Sequence, residues 1–147
     1  MSDDAIADGL NGLLADYVVF YHKLRSYHWS VRGPDFFELH AKFEEQYDAA
    51  AMIADELAER IVALGGTPQP TLTTALETAR INEDPGTPSP QDMVSNVVAD
   101  LRTLNARAGD VIEVAESEGD RTTANLLDDI VDQQEDNLWM FEAFLEK

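Results

Sequence analysis

Apolar residues recur at intervals of three and four along most of the chain, and each run that keeps this spacing stops at a glycine or proline. Ile6, Leu10, Leu13, Leu14, Tyr17, Val18, Tyr21 and Leu24 form one such stripe, which predicts a helix from Asp4 to Ser30. Gly33-Pro34 breaks it, and Asp35 is placed to cap a second helix from Phe36 to Leu64 that ends at Gly65-Gly66. Pro68 and Pro70 then open a connection too long for a simple turn, within which Leu72 to Ile81 reads as a short helix. Asn82 to Pro88 is turn-rich. Ser89-Pro90 supplies a cap followed by proline at the first helical position, with Asp92 three residues after the cap, so a third long helix is predicted from there to about Ser117. Gly119-Asp120 marks another break before a fourth helix from about Thr122 to Leu145. No alternating β-branched run or two-residue hairpin turn competes. The pattern predicts a single all-α domain over residues 1–147: a four-helix bundle with a short extra helix in the long connection between helices two and three.

Charge adds a second constraint. Twenty-nine acidic residues face ten basic ones, for a formal net charge of −19. Such a surface attracts cations and repels nucleic acid and anionic membranes. Disorder is the other reading of so high a charge, but 44% of the residues are hydrophobic and sit at helical spacing, which predicts a folded chain. An Asp-rich, Lys-poor composition also suits a halophile, whose concentrated salt screens carboxylate repulsion. The absence of cysteine excludes disulfides, iron–sulfur clusters and thiol catalysis. With an acidic N-terminus, MSDDAIADGL, and no apolar run near the roughly 20 residues that span a bilayer, a soluble cytoplasmic protein is expected.

The candidate chemistry lies on the second helix. At 100° per residue, His40, Glu44, Asp48, Ala51, Asp55 and Glu59 fall on one face. A solvated acidic face with an incidental histidine would produce the same stripe. Its centre, Ala49-Ala50-Ala51 followed by Met52, suggests more, because small residues let a second backbone approach closely. If two copies of this helix cross antiparallel about a two-fold axis midway between positions 49 and 50, His40 faces Glu59 of the other copy and Glu44 faces Asp55. Within one chain the two pairs lie about 16 to 28 Å apart, too far for one centre. Each chain therefore carries two half-sites that an isologous dimer completes twice. His28, at the end of the first helix, folds back across the Gly33-Pro34 turn toward the His40 end. Two imidazoles and three carboxylates suit Fe(II), Mn(II) or Zn(II), and the excess of carboxylates favours two ions.

The stretch His28-Trp29-Ser30-Val31-Arg32-Gly33, then Phe37, Leu39-His40, Asp55 and Ala58-Glu59-Arg60 ahead of Leu64-Gly65-Gly66, resembles the Dps proteins, the miniferritins named for DNA binding in starved cells. The closing segment Leu138-Trp139-Met140-Phe141-Glu142-Ala143-Phe144 extends the similarity over nearly the whole chain. The resemblance implies a ferritin-like bundle assembled as a hollow dodecamer of two-fold dimers. It implies ferroxidase centres at the two-fold interfaces, with His28, His40 and Glu44 from one subunit and Asp55 and Glu59 from its neighbour. Iron would enter as Fe(II), be oxidised by hydrogen peroxide or more slowly by oxygen, and be stored as ferric mineral. The family usually carries Asp where this chain has Glu44. In the family the region of Asp120, Asp128, Asp129 and Asp132 helps line three-fold pores for ion entry; a solvated face is the alternative here. Trp29, beside His28, reads as a packing residue or as a quencher of stray oxidising equivalents.

Two other functions are weighed. DNA compaction is the activity in the family name, yet the N-terminal arm holds Asp3, Asp4 and Asp8 with no Lys or Arg and the C-terminus offers only Lys147, so no direct DNA binding is expected. A metal-free scaffold is the third reading. An ordinary di-iron site inside one bundle would need Glu three residues before a histidine on two helices, and none of His22, His28 and His40 has one.

Overall fold

A computed structural model describes the backbone of residues 2–146 and the side chains of residues 4–146; Asp3 and Lys147, weighed above for DNA binding, lie outside the described side chains. The elements are α1 (Ser2–Ser30), α2 (Phe36–Ala63), α3 (Leu72–Thr78), α4 (Pro90–Ser117) and α5 (Arg121–Leu145), with no strand among the described residues. The fold is the ferritin-like four-helix bundle with a short helix in the α2–α4 connection. The predicted ends agree within a few residues; α3 stops three residues early, because Ala79 turns to an extended conformation.

Local signals explain the breaks. The N–H of Gly66 bonds to the carbonyl of Ile61 and that of Gly65 to Val62, which closes α2 in a Schellman motif whose left-handed residue is Gly65 (φ 86°). The same pattern ends α4, where Asp120 N–H bonds to Ala115 O. Asp120 then starts α5, accepting from the Thr123 amide. Ser89 caps α4 as the sequence predicts, accepting from Asp92 N–H. Asp35 occupies the N-cap position of α2, but its side chain makes no capping bond, since φ −99° and ψ 21° depart from the extended geometry of a capping residue.

α1 is the central strut, packing against α2, α3 and α4, while α4 pairs with α5. Its stripe residues Ile6, Leu10, Leu13, Tyr17 and Leu24 are fully buried, with Phe43, Leu57, Leu101 and Leu127 from the other helices. Val18 and Tyr21 are only half-buried and mark the edge of α1 next to the outward face of α2. The long connection is tied to α1 by polar side chains. Asn11 pairs with Thr67 and Gln69, and the fully buried Asp16 accepts from the backbone N–H groups of Arg80 and Ile81 and from Arg107. Lys23 donates to Asn82 O and pairs with Asp100, and Tyr27 donates to Asp84. Among the described residues no helix is long and apolar enough to cross a membrane.

Candidate metal centre

His28 closes α1 and His40 lies in the second turn of α2, and the turn between them folds the two rings together. They stack with centroids 3.8 Å apart and planes 13° apart. Nδ1 of His28 lies 2.6 Å from the carbonyl oxygen of His40, and Nδ1 of His40 lies 2.7 Å from the carbonyl oxygen of His28. A carbonyl only accepts, so both Nδ1 atoms carry a proton, and in the neutral form of either ring the lone pair is on Nε2. Fixing one ring nitrogen by a backbone acceptor is how metal-ligating imidazoles are oriented. Phe36 stacks on the outer face of His40 at 4.8 Å, and Tyr47 meets His28 edge-on at 5.4 Å. His28 is buried by this packing; its Nε2 faces Glu44.

Glu44 Oε1 lies 3.6 Å from His28 Nε2. That is too long for a hydrogen bond. It matches two ligands of a single ion, since two bonds of about 2.1 Å at tetrahedral to trigonal angles put their donors about 3.4–3.6 Å apart. Tyr47 is held above the usual phenol range first by desolvation and then by the charge of Glu44.

Asp55 and Glu59 lie farther along the same exposed face of α2. Their carboxyls repel, and the charge of Asp55 first of all pushes the Glu59 carboxyl upward. A cation placed between two such carboxylates relieves their repulsion. The two groups of ligands stay apart: among the described residues of one chain, no three His, Asp or Glu side chains converge as a metal site. The structure refines the centre of the stripe. Ala50 is buried in its own bundle and Ala49 half-buried, so Asp48, Ala51 and Met52 (68% exposed) present the outward surface there, not all three alanines.

Among the described residues the bundle interior offers no alternative centre. Its polar side chains form a neutral chain: Gln46 donates to Asn137, Asn137 to Gln134, and Gln134 to the Tyr17 hydroxyl. The buried Asp16 and Asp100 are committed to Arg107 and Lys23. Asp120 is engaged as a cap and in an ion pair with Arg60, which argues against the pore role weighed for it. Partial burial would raise its carboxyl, but the Thr123 hydroxyl and amide and the Arg60 guanidinium outweigh that and lower it. Asp128, Asp129 and Asp132 are exposed. His22 is exposed and meets Trp29 edge-on, not the His28–His40 pair.

The sequence reading missed Tyr47 and Arg25. Arg25 lies over Tyr21, Trp29 and Tyr47, an arrangement that only the packing of α1 on α2 reveals. The i, i+4 spacing of Tyr21 and Arg25 was the one available signal.

Comparison with known proteins gives a consistent answer. Residues 7–147 match the model of the ferritin-like domain family. The chain is similar to the DNA protection during starvation protein of Brevibacillus brevis, with 46% identity over 93% of this chain and 92% of the relative. Its structure is similar to that of a Dps protein from Bacillus brevis, with a TM-score of 0.97 and 44% identity over 99% of this chain and 97% of that one. It is also similar to the Dps protein of Vibrio cholerae O1, described as a member of a broad superfamily of ferritin-like diiron-carboxylate proteins, with a TM-score of 0.96 and 38% identity over 99% and 91% of the two chains. A ferritin-like bundle matched along nearly its full length by these proteins, the chain belongs to the Dps family.

Proposed function

We propose that this protein takes up Fe(II), oxidises it with hydrogen peroxide or oxygen at sites shared between two-fold-related subunits, and stores the ferric product inside a hollow dodecamer, protecting the cell from peroxide. The observation that carries this reading is the mutual fixing of His28 and His40 through their Nδ1 atoms, with the Nε2 of His28 facing Glu44. Asp55 and Glu59 wait at the complementary position of the same helix face. An antiparallel crossing centred on Asp48 and Ala51 brings His40 and Glu44 of one copy to Glu59 and Asp55 of another. Two Fe(II) ions held together supply two electrons to one peroxide, so the O–O bond is cleaved to water without releasing a radical. Iron is the substrate and cargo of this chemistry.

Complementation tests the sharing. Homodimers of His40→Ala or Asp55→Ala have every site damaged, whereas a mixed dimer concentrates both defects in one site and leaves the other intact. Random reassembly of equal amounts makes half the dimers mixed, so about one quarter of the sites return. Anaerobic Fe(II) titration and peroxide-driven oxidation read this recovery; no recovery in verified mixed dimers counts against shared sites. DNA binding is not favoured. With a net charge of −19 and no cationic residue before Lys23, the protein is expected to leave DNA unshifted in a gel across a salt series.

A further inference from the structure

Residues 80–86 run as a strap over the seam between α1 and α4, and three side chains of α1 hold them there. Asp16 accepts from the N–H groups of Arg80 and Ile81 at 2.6 and 3.3 Å, Lys23 donates to the Asn82 carbonyl at 2.8 Å, and the Tyr27 hydroxyl donates to Asp84 at 2.6 Å. Each of the three is met by a side chain of α4. Arg107 donates to Asp16 at 3.0 Å, Asp100 pairs with Lys23 at 2.9 Å, and the Asn96 amide donates to the Tyr27 hydroxyl at 3.0 Å. The steps of seven and four along α1 are matched by the same steps in reverse along α4, as antiparallel neighbours require. Three polar rungs therefore cross the seam, and each one carries a part of the strap.

The strap also walls a cavity of about 570 Å³, lined by its Glu83 and Asp84, by Val18 and Tyr21 of α1, and by Leu72 and Leu76 of α3. Leu72 is 72% exposed and Leu76 46%. Tyr21 continues the lining toward α2, meeting Tyr47 edge-on at 5.8 Å. Tyr47 is the neighbour of Asp48, so the leucines of α3 lie on the same side of the bundle as the unpartnered face of α2.

We propose that the three rungs act as one latch, so that residues 80–86 are released and reseated as a unit, and that the latched strap holds α3 where Leu72 and Leu76 meet a second copy of this chain. The second half rests on the subunit pairing proposed above and concerns its control. Two physical features make the latch all-or-none. The anchored positions 80, 81, 82 and 84 are at most two residues apart, roughly 7 Å of extended chain, so no slack lies between one rung and the next. Asp16 is fully buried, and a partial opening would strip it of its two amide donors while the seam stayed covered. A buried carboxylate short of hydrogen bonds is costly, whereas complete release lets water take the place of the amides. Local opening in such units is how segments of a folded chain move without global unfolding.

Amide hydrogen exchange in the full-length protein reads the latch, and native mass across a series of protein concentrations reads the pairing. Tyr27→Phe keeps the ring against Phe43 and removes the hydroxyl that holds Asp84. Exchange is expected to quicken by about 10-fold or more at Gly86, whose N–H bonds to Asp84, and by the same factor at Arg80 and Ile81 at the far end of the strap. Exchange in α5 is expected to stay as it was, and pairing to need several-fold more protein. Lys23→Met, which removes the middle rung, is expected to give the same pattern. Faster exchange at Gly86 alone in Tyr27→Phe would overturn the latch. Uniformly faster exchange with pairing at an unchanged concentration would overturn its control of pairing and leave the shared sites standing. A mass of one subunit at every concentration in the unmodified protein would overturn the shared-site reading together with that control, and the latch would still stand or fall by exchange.

Discussion

Replacing His40 by alanine removes an imidazole but not the carbonyl that holds His28, because that carbonyl belongs to the backbone. His40→Ala is therefore expected to weaken Fe(II) binding by about 10-fold or more while leaving His28 aimed and the fold intact. His28→Ala removes a buried ring that packs on both His40 and Tyr47, so it carries the same loss of affinity plus about 1 kcal/mol of stability. Fe(II) titration and thermal melting of the two variants separate these effects. Four of the five candidate ligands stand out in the sequence because they form i, i+4 pairs on α2, whereas His28 lies on α1 and is picked out by its place before the turn. What the sequence could not supply was the tautomer. The Nδ1–carbonyl bonds join residues twelve positions apart across a turn, and no spacing rule encodes them.

At the scale of the elements, the five helices followed from apolar periodicity and from Gly and Pro punctuation, and the Ser89 cap from its Ser-Pro pair, whereas Asp35 makes no capping bond. The anchoring of the α2–α4 connection did not follow from these signals. Asn11, Asp16, Lys23 and Tyr27 lie along α1 as ordinary polar interruptions of an apolar stripe, and only the tertiary fold shows each one bonded to a segment more than fifty residues away. Gly12 belongs to the same arrangement: a Cβ there would lie 2.2 Å from an Arg107 nitrogen, so the glycine makes room for the guanidinium that neutralises Asp16. Arg107→Met leaves Asp16 charged and buried with only backbone partners, and a loss of about 3 kcal/mol is expected in urea unfolding. Asp120→Ala removes the α5 cap and the Arg60 pair, at an expected cost of about 1–2 kcal/mol with Fe(II) binding unaffected. Acid acts on this connection as well. The Tyr27 hydroxyl and the Gly86 amide lower Asp84 below the ordinary value of 3.8, so its stabilisation is complete above that value and is lost as pH falls through the depressed folded value. Asp84→Asn is expected to flatten the acid side of the stability profile below pH 3.8, read from urea midpoints.

For the whole molecule, charge and exposed apolar surface pull in opposite directions. A net charge of −19 on 147 residues opposes compaction and, more strongly, association. The exposed large apolar side chains, among them Trp29, Phe37, Met52, Leu72 and Trp139, favour covering by other copies. Salt tips this balance, and both the melting temperature and the native mass are expected to rise when potassium chloride is raised from about 0.1 M toward several molar. Unchanged melting and mass over that range would count against salt adaptation. The reciprocal bonds between His28 and His40 have a consequence at this scale too. The two rings take their aim from main-chain oxygens within a single subunit, so their geometry does not depend on the cargo. On the proposed storage reading, the two imidazoles stay in register when no iron is bound, and the protein would refill without being rebuilt.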